Sequence, residues 1–275
     1  MRISHLGPTG TYTEAAARRF NPDADLLPVA TVAAAIQAVR EGEADAAVCA
    51  MENSIEGSVS IETMDILIGP EFELRISGEV VLAIQHHLVG APGINPAQAE
   101  VVYSHPQGLA QCRQRLHELA PQAKPVAALS TAGAVEAAVK EPGTLAVGSE
   151  YAAELYGATI YARDIGDERG NETRFVVLAP DDAEPTGDDK TSLAFTTAHD
   201  RPGSLVEVLQ LFATHGLNLT RIESRPTRRQ LGTYVFFCDV QGHRRDPIVR
   251  GVLEEAATIT QWLRVLGSYP RWKRA

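Results

Sequence analysis

The chain has 275 residues, enough for about two domains, and its 44% hydrophobic and 22% charged residues exclude a disordered or low-complexity protein. The net charge of −10 is unevenly distributed, because residues 190–275 carry 13 basic and 7 acidic residues and the preceding part carries the other 12 and 28. An acidic first part argues against a nucleic-acid partner, since contacts to phosphates require clustered cations.

Short apolar strands alternate with alanine-rich helices over the first 180 residues. We expect strands at 2–7, 44–51, 100–106 and 143–149, and helices at 14–20, 31–42, 106–119 and 130–141. Alternation of strands and helices predicts an α/β fold with mostly parallel strands.

A weak internal repeat runs through this region at an offset of 100 residues. Ser4-His5 at the end of the first strand matches Ser104-His105, and the helix from Thr31 resembles the helix from Thr131. A duplication would create two similar α/β lobes with a ligand cleft between them, at the carboxyl ends of the strands. The alternative is chance similarity between alanine-rich helices.

Polar turns follow several strands and supply candidate binding residues. In the glycine-containing loop 7–14, Thr11 and Glu14 have the spacing of a helix cap, and the N–H groups of the helix start favour a carboxylate ligand. The loop matches neither the P-loop nor the dinucleotide-binding pattern. The other polar turns contain Asn53, Ser54, Ser104, Gln111, Thr173 and Arg174.

Several other kinds of site are not predicted. His86 and His87 are neighbours in an apolar run, so on a strand they would face opposite sides and could not bind one metal ion. The three cysteines are widely separated, which predicts no disulfides and a reducing, cytoplasmic setting. No apolar run is long enough for a membrane span, and the first residues do not have the pattern of a secretory signal.

The composition changes most sharply at residues 180–190, which combine two prolines and a glycine with a run of acidic residues. Such a segment predicts a linker. We therefore expect one domain over residues 1–180, a linker at 181–189 and a second domain over 190–270.

The second domain has the predicted order β-α-β-β-α-β. Its elements are expected at 191–197, 203–215, 217–223, 232–240, 246–257 and 260–267. This is the order of the ferredoxin-like fold. Because its small open sheet has edges that can pair with a second copy, a sensing or assembly module in a homodimer or homotetramer is expected.

Five stretches resemble, in chain order, the motifs of the prephenate dehydratase family: GPTGTYTEAA, ENSIEGSV, SHPQGLAQC and NETRFVVL, followed by the ACT-like stretch HDRPGSLVEVLQLFATHGLNLTRIESRP. The resemblance implies a bilobal catalytic domain like a periplasmic binding protein, followed by a ferredoxin-like ACT regulatory domain. Fused members of the family carry an N-terminal chorismate mutase. Since the first strand begins by Ile3, we expect none here.

The resemblance also implies an activity and a set of site residues. The activity is conversion of prephenate to phenylpyruvate, water and carbon dioxide, without metal or organic cofactor, under feedback inhibition by phenylalanine. The family's catalytic threonine falls on Thr173, followed by Arg174 and Phe175. The implied substrate-binding residues are Asn53, Ser54, Ser104 and Gln111, to which the loop analysis adds Thr11. Thr173 would donate a hydrogen bond to the departing hydroxyl, with water or a carboxyl such as Glu52 behind it.

The phenylalanine site is expected in the second domain. The family's GALV motif appears as Gly203, Ser204, Leu205 and Val206, and its ESRP motif as Glu223, Ser224, Arg225 and Pro226. Leu217 and Asn218 lie between them and are included in the predicted site. Two alternatives remain open from sequence: an arogenate dehydratase and a non-enzymatic, amino-acid-sensing bilobal binding protein.

Overall fold

The computed structural model describes residues 1–59, 61–70, 72–197, 201–227 and 233–273. Packing divides the chain into two compact units. The first unit contains Met1–Ile61 and Val80–Phe175, and the second contains Glu62–Glu79 and Val176–Ala275. The limits of these units do not coincide with the domain boundary expected near residue 180. The domain limits drawn from sequence stay a prediction. Within the described ranges, no helix is both long and apolar enough to cross a membrane.

The helices and strands before residue 84 alternate as expected, with additional short strands. They are β1 (Arg2–Leu6), α1 (Tyr12–Phe20), β2 (Asp25–Val29), α2 (Val32–Arg40), β3 (Ala46–Asn53), β4 (Gly57–Ser58), α3 (Ile61–Leu67) and β5 (Arg75–Ala83). The next group is β6 (His87–Gly90), β7 (Val101–Ser104), α4 (Pro106–Gln111), α5 (Arg113–Leu119), β8 (Lys124–Ala127), α6 (Thr131–Lys140), β9 (Thr144–Gly148), α7 (Glu150–Tyr156) and β10 (Thr159–Ala162). The last group is β11 (Glu172–Ala179), β12 (Asp189–Thr197), α8 (Ser204–Thr214), β13 (Leu219–Pro226), β14 (Tyr234–Gln241), α9 (Pro247–Ile259) and β15 (Thr260–Pro270).

Two mixed sheets form two lobes around the strands of the first unit; the first part of β5 and the last part of β11 belong to the second unit. The first sheet has the order β2-β1-β3-β11-β5, with β4 paired to β3, and the second has the order β10-β6-β9-β7-β8. Each sheet contains three parallel strands in which the first strand along the chain lies in the middle. These are β2-β1-β3 in the first sheet and β8-β7-β9 in the second. The helices between these strands also correspond, α1 with α5 and α2 with α6. The predicted bilobal α/β fold is confirmed, and the offset-100 similarity coincides with equivalent elements.

Helix caps explain why the helices begin where they do. The hydroxyls of Thr11, Thr31, Ser130 and Ser149 each accept a hydrogen bond from a backbone N–H in the first turn of the helix that follows. Alanines fill the buried faces of α1, α2 and α6, which lets these helices lie close to the sheets. The N-termini of α1, α4 and α6 reach the same cavity, described below.

The second unit contains the predicted β-α-β-β-α-β arrangement. Its antiparallel sheet has the order β13-β14-β12-β15, with α8 and α9 packed on one face around a core that includes Leu193, Phe195, Val208, Phe212 and Cys238. The third element begins two residues later than expected and continues to Pro226, and the final strand extends to Pro270. The predicted start of the fourth element, Gly232, lies outside the described residues.

Residues 62–79 are attached to this second unit by buried polar contacts. Lys190 Nζ lies 2.9 Å from both carboxylate oxygens of Glu79, whose side chain is buried. Arg264 Nη1 donates to the carbonyl of Gly69 at 2.6 Å. The expected linker has no helix or strand before Asp189, but Asp182 anchors it by accepting a hydrogen bond from the N–H of Ser268 at 3.0 Å.

Candidate functional site

A cavity of about 190 Å³ lies between the two lobes of the first unit. The first lobe contributes residues from the loop before α1, from the end of β3 and from β11. The second lobe contributes the first residues of α4 and α6, and the crossover after β5 contributes Ile84 and His86. Of the residues predicted from sequence, Thr11, Asn53, Gln111, Thr173 and Phe175 line this cavity. The expected cleft between the lobes is therefore present.

The hydroxyl of Thr173 is oriented by Asn53. The Oδ1 atom of Asn53 accepts hydrogen bonds from the backbone N–H groups of Ile55 and Glu56, at 3.0 and 3.2 Å. This fixes the amide so that its Nδ2 donates to Thr173 Oγ1 at 3.0 Å. Because the oxygen of Thr173 already accepts a hydrogen bond, its own hydrogen is available to a molecule in the cavity.

The amide network continues from Asn53 to the far wall. Asn53 Nδ2 donates to Asn171 Oδ1 at 2.6 Å, and Asn171 Nδ2 donates to Gln111 Oε1 at 2.9 Å. Gln111 Nε2 in turn donates to Glu56 Oε1 at 2.6 Å. His86 Nε2 lies 2.9 Å from the same Gln111 Oε1, so this nitrogen must carry hydrogen. Gln111 therefore has both ends of its amide committed to the protein, and its role is to support the wall.

Arg174 does not line the cavity. Side chains alternate along a strand, so Arg174 lies on the face of β11 opposite to Thr173 and Phe175. Its Nε donates to Glu52 Oε1 at 2.7 Å, and its side chain is 5% exposed. The expectation that Arg174 binds a substrate carboxylate is not supported by this geometry. Glu52 also lies outside the cavity lining.

Both predicted serines have structural roles. Ser104 is fully buried at the end of β7 and donates to the carbonyl of Val147 at 2.8 Å, as Ser4 donates to Ala35 in the first lobe. Ser54 donates to the carbonyl of Gly170 at 3.0 Å and accepts from the N–H of Glu172 at 2.9 Å. Neither serine lines the cavity. They fix the backbone turns that carry the lining residues.

Thr11 lines the cavity, but its hydroxyl is occupied. It accepts from the N–H of Glu14 and donates to the carbonyl of Leu6 at 3.1 Å. Glu14 Oε2 accepts from the N–H of Gly10 at 2.7 Å, which completes the predicted cap. The helix start itself, with its N–H groups, is what this loop offers to an anion.

The cavity contains residues that the sequence analysis did not select. His86, His105, Gln107, Ser130 and Thr131 are among them. The signals were present, because His105 and Gln107 belong to the SHPQ turn and Thr131 to the internal repeat. What was missing was the direction of each side chain.

The cavity wall is nearly uncharged. Among the described lining residues, the titratable side chains are Tyr12, His86 and His105, and none is a lysine, arginine or carboxylate. Burial lowers the pKa of His86 and of His105, and burial raises the pKa of Tyr12, whose hydroxyl donates to the carbonyl of Gln85. All three are neutral near pH 7. An anionic ligand would therefore be held by neutral donors and by the helix starts of α1 and α6.

The residues of the predicted phenylalanine site divide into two groups. Gly203 caps α8 with a φ of 90°, and the following residue, Ser204, has a buried hydroxyl without a hydrogen-bond partner among the described residues. Val206 is 62% exposed and Asn218 is exposed. Leu205 and Leu217 pack partly against the core of the second unit. Within this group, Gly203 to Val206 lie at the start of α8, whereas Leu217 and Asn218 follow its C-terminal end, so the chain does not bring these two sets together.

The second group lies on β13 and is split between the two faces of the sheet. Glu223 forms an ion pair with Arg221, and Arg225 Nη1 lies 3.0 Å from Asp65 Oδ1. Ser224 and Pro226 alternate with them and lie on the face covered by α8 and α9. Arg225 therefore holds the sheet to residues 62–79, Glu223 pairs with Arg221 on the same face, and Ser224 and Pro226 lie on the other face.

Two α/β lobes around a polar cavity, followed by a β-α-β-β-α-β sheet, define a two-lobed small-molecule protein with an attached ferredoxin-like domain. Family profiles agree: the profile "Prephenate dehydratase" matches residues 3–183, and the profile "ACT domain" matches residues 191–258. The chain belongs to the prephenate dehydratase family and contains an ACT domain. Family membership makes it an enzyme, a hydro-lyase that acts on prephenate.

Individual relatives cover nearly the whole chain. A crystal structure of prephenate dehydratase from Arthrobacter aurescens, in complex with L-Phe, is 38% identical with a TM-score of 0.88, covering 98% of this chain and 90% of that one. Arogenate dehydratase 1 of Petunia hybrida is 39% identical over 98% of this chain and 67% of its own length. A structure described as GqqA, a quorum quenching acylase, is 34% identical with a TM-score of 0.85, covering 99% and 98%.

Proposed function

We propose that the cavity of the first unit carries out the decarboxylating dehydration of prephenate, with Thr173 as the catalytic residue. The observation that supports this role is the hydrogen bond from Asn53 Nδ2 to Thr173 Oγ1, in which the threonine oxygen is the acceptor and its own hydrogen is not used. Loss of the hydroxyl and of carbon dioxide makes the ring aromatic. The reaction therefore needs orientation and a hydrogen-bond donor at the departing oxygen more than it needs an electron sink.

The neutral wall suits this chemistry. Prephenate is a dianion, and the helix starts at Thr11 and Thr131 offer backbone N–H donors to its carboxylates. Phe175 adds an apolar surface beside Thr173 on the same strand. Removing a single oriented donor from a transition state typically reduces turnover by about 10²- to 10³-fold, which is the contribution expected of Thr173.

Arogenate is the second candidate substrate, favoured by the similarity to the Petunia hybrida enzyme. Arogenate differs from prephenate by an amino group in place of a keto oxygen. The uncharged, carboxylate-poor wall favours prephenate, since the described lining residues include no carboxylate to receive an ammonium group. The deciding experiment measures turnover of the full chain on both substrates; a higher kcat/KM for arogenate would overturn the preference.

We also propose that phenylalanine binds at the start of α8 and lowers the activity. Support comes from the exposed N-terminal turn of α8 with Val206, and from the L-Phe complex of the Arthrobacter aurescens enzyme. A coupling of about 1–3 kcal/mol would change activity roughly 5- to 150-fold. Titrating phenylalanine against turnover tests this, and an unchanged rate at saturating phenylalanine would contradict it.

A homodimer or homotetramer is part of the same proposal. Strand β13 is at an edge of its sheet, and its residue Ile222 is 49% exposed. Two other large apolar side chains of this domain are also exposed, Tyr234 at 44% and Val206 at 62%. An open edge with apolar residues beside it favours pairing with another copy. Sedimentation of the chain with and without phenylalanine would measure the state. The cytoplasmic location stays a prediction from the cysteine pattern.

A further inference from the structure

The uncharged cavity wall raises the question of how a dianion is held. In the absence of lysine and arginine among the described lining residues, each carboxylate oxygen must accept from a neutral N–H or O–H group. Many polar side chains in the cavity are already committed: Gln111 to Glu56 and Asn171, Thr11 to the cap of α1, and Tyr12 to a carbonyl. The donors that remain in the wall include His105, Gln107 and Thr131, and His105 is the one whose donor atom the recorded hydrogen bonds identify.

The two cavity histidines differ in which nitrogen is available. His86 donates from Nε2 to Gln111, and its Nδ1 is buried without a hydrogen-bond partner among the described residues. His105 is half-buried and caps α4, with Nδ1 accepting the N–H of Gln107 at 3.3 Å. A backbone N–H can only donate, so Nδ1 of His105 carries the lone pair and Nε2 carries the hydrogen. Among the described residues, the hydrogen bond recorded for this ring is the one at Nδ1, which leaves Nε2–H for a ligand.

The close packing of α4 fixes the position of this side chain. A Cβ at Gly108 would lie 2.7 Å from Ser104 Oγ, so glycine allows the first turn of α4 to approach the end of β7. Ser104 in turn is held by its hydrogen bond to Val147. His105, which lies between the buried Ser104 and the first helical residue, is thereby held at the cavity wall.

We propose that His105 binds the substrate directly, with its neutral Nε2–H donating a hydrogen bond to a carboxylate of the dianion. This inference rests on the proposed function and assigns to His105 the position in the SHPQ turn that the sequence analysis gave to Ser104. The groups that face it are consistent with a neutral ring. Burial lowers the pKa of His105 and the Glu56 carboxylate only partly opposes this, while the neighbouring His86 and Tyr12 are themselves neutral.

Two substitutions separate the cap from the donor. Asparagine can accept the N–H of Gln107 in place of Nδ1 but does not reach the position of Nε2, whereas glutamine carries an N–H group at about that reach. For the full chain, His105→Asn should keep the denaturation midpoint and raise KM for prephenate about 10- to 100-fold. His105→Gln should keep KM within a few fold of wild type, even if the lost cap lowers the midpoint.

The pH dependence provides the second readout. A neutral donor predicts a wild-type KM that stays flat as pH rises from about 7 to 9, whereas an imidazolium anchor would lose affinity over that range. The inference is overturned if His105→Asn binds like wild type, if His105→Gln loses as much affinity as His105→Asn, or if the wild-type KM rises with pH. Absence of turnover in the wild-type chain would instead refute the proposed function, so the two failures are distinguishable.

Discussion

Replacing Asn53 by aspartate should disable Thr173 while keeping the turn that carries it. One carboxylate oxygen can still accept the N–H groups of Ile55 and Glu56, as Asn53 Oδ1 does. The other oxygen replaces Nδ2, which donates to Thr173 Oγ1 and to Asn171 Oδ1 in the native chain. With no donor facing it, the Thr173 hydroxyl will turn and donate to the new carboxylate. Its hydrogen is then no longer available to the substrate.

The size of the two effects follows from these contacts. The carbonyl of Glu172, which also accepts from Asn53 Nδ2 at 3.1 Å, keeps a hydrogen bond from the N–H of Ser54 at 2.8 Å. Asn171 Oδ1 is then the acceptor left facing a carboxylate, at a cost of about 1–3 kcal/mol of unfolding free energy. Turnover should fall further, by about 10²- to 10³-fold, because a transition-state donor is lost.

Urea unfolding and the initial rate of phenylpyruvate formation measure the two effects separately. Ser54→Ala is the matched control, since it loosens the same turn by removing the hydrogen bonds that Ser54 donates to Gly170 and accepts from the N–H of Glu172, at a side chain outside the cavity wall. It should lower stability by about 1 kcal/mol and keep kcat within a few fold. A folded Asn53→Asp enzyme with wild-type kcat would refute the role given to Asn53.

Two further predictions concern stability. Gly267→Ala should lower the free energy of unfolding by at least about 2 kcal/mol, because a Cβ there would lie 2.2 Å from the carbonyl oxygen of Ile76. The control is Gly251→Ala, in an exposed turn of α9 where a Cβ would meet nothing within 4 Å. It should be neutral or stabilising in the same urea titration. Burial disfavours the Glu14 carboxylate, but hydrogen bonds from donors including Gly10 N–H and Arg18 outweigh burial and hold the pKa of Glu14 below its ordinary 4.5. The ionised Glu14 therefore contributes its full stabilisation of the fold above pH 4.5, and this contribution is lost as pH falls through the lowered pKa. Glu14→Gln should therefore lose less unfolding free energy on acidification than the wild-type chain does. The same decrease with falling pH in both proteins would contradict this prediction.

The sequence was sufficient for the fold class because hydrophobic periodicity, capping residues and motif order agree. The helices beginning after Thr11, Thr31 and Ser130 start within a few residues of the predicted points, since local capping determines them. The short strands β2, β6, β8 and β10 were not predicted. They are four or five residues long, and their pairing partners are distant in sequence, so the local pattern does not specify them.

The site residues illustrate where local reasoning stops. Thr173 and Asn53 were selected and line the cavity, whereas Arg174, one residue along the same strand, lies on the opposite face and pairs with Glu52. Alternation along a strand places Thr173 and Arg174 on opposite faces, but the sequence does not show which face of β11 borders the cavity. The division of β13 between Glu223 and Ser224 has the same cause.

The attachment of residues 62–79 to the second unit could not be predicted, because it depends on contacts distant in sequence. It also changes what truncation near residue 183 would do. Such a chain lacks Lys190, Arg264 and the rest of the unit to which residues 62–79 are attached, so this segment loses the contacts that hold it. Regulation is therefore better tested in the full chain.

The most direct test is the rate of phenylpyruvate formation from prephenate by the full chain and by its Thr173→Ala and Thr173→Ser variants. Thr173→Ala removes the hydroxyl oriented by Asn53 and should reduce kcat by at least about 100-fold with little change in KM, while Thr173→Ser keeps the hydroxyl and should retain much more activity. Wild-type turnover in Thr173→Ala, with the variant folded and the substrate bound, would contradict the assignment of Thr173 as the catalytic residue.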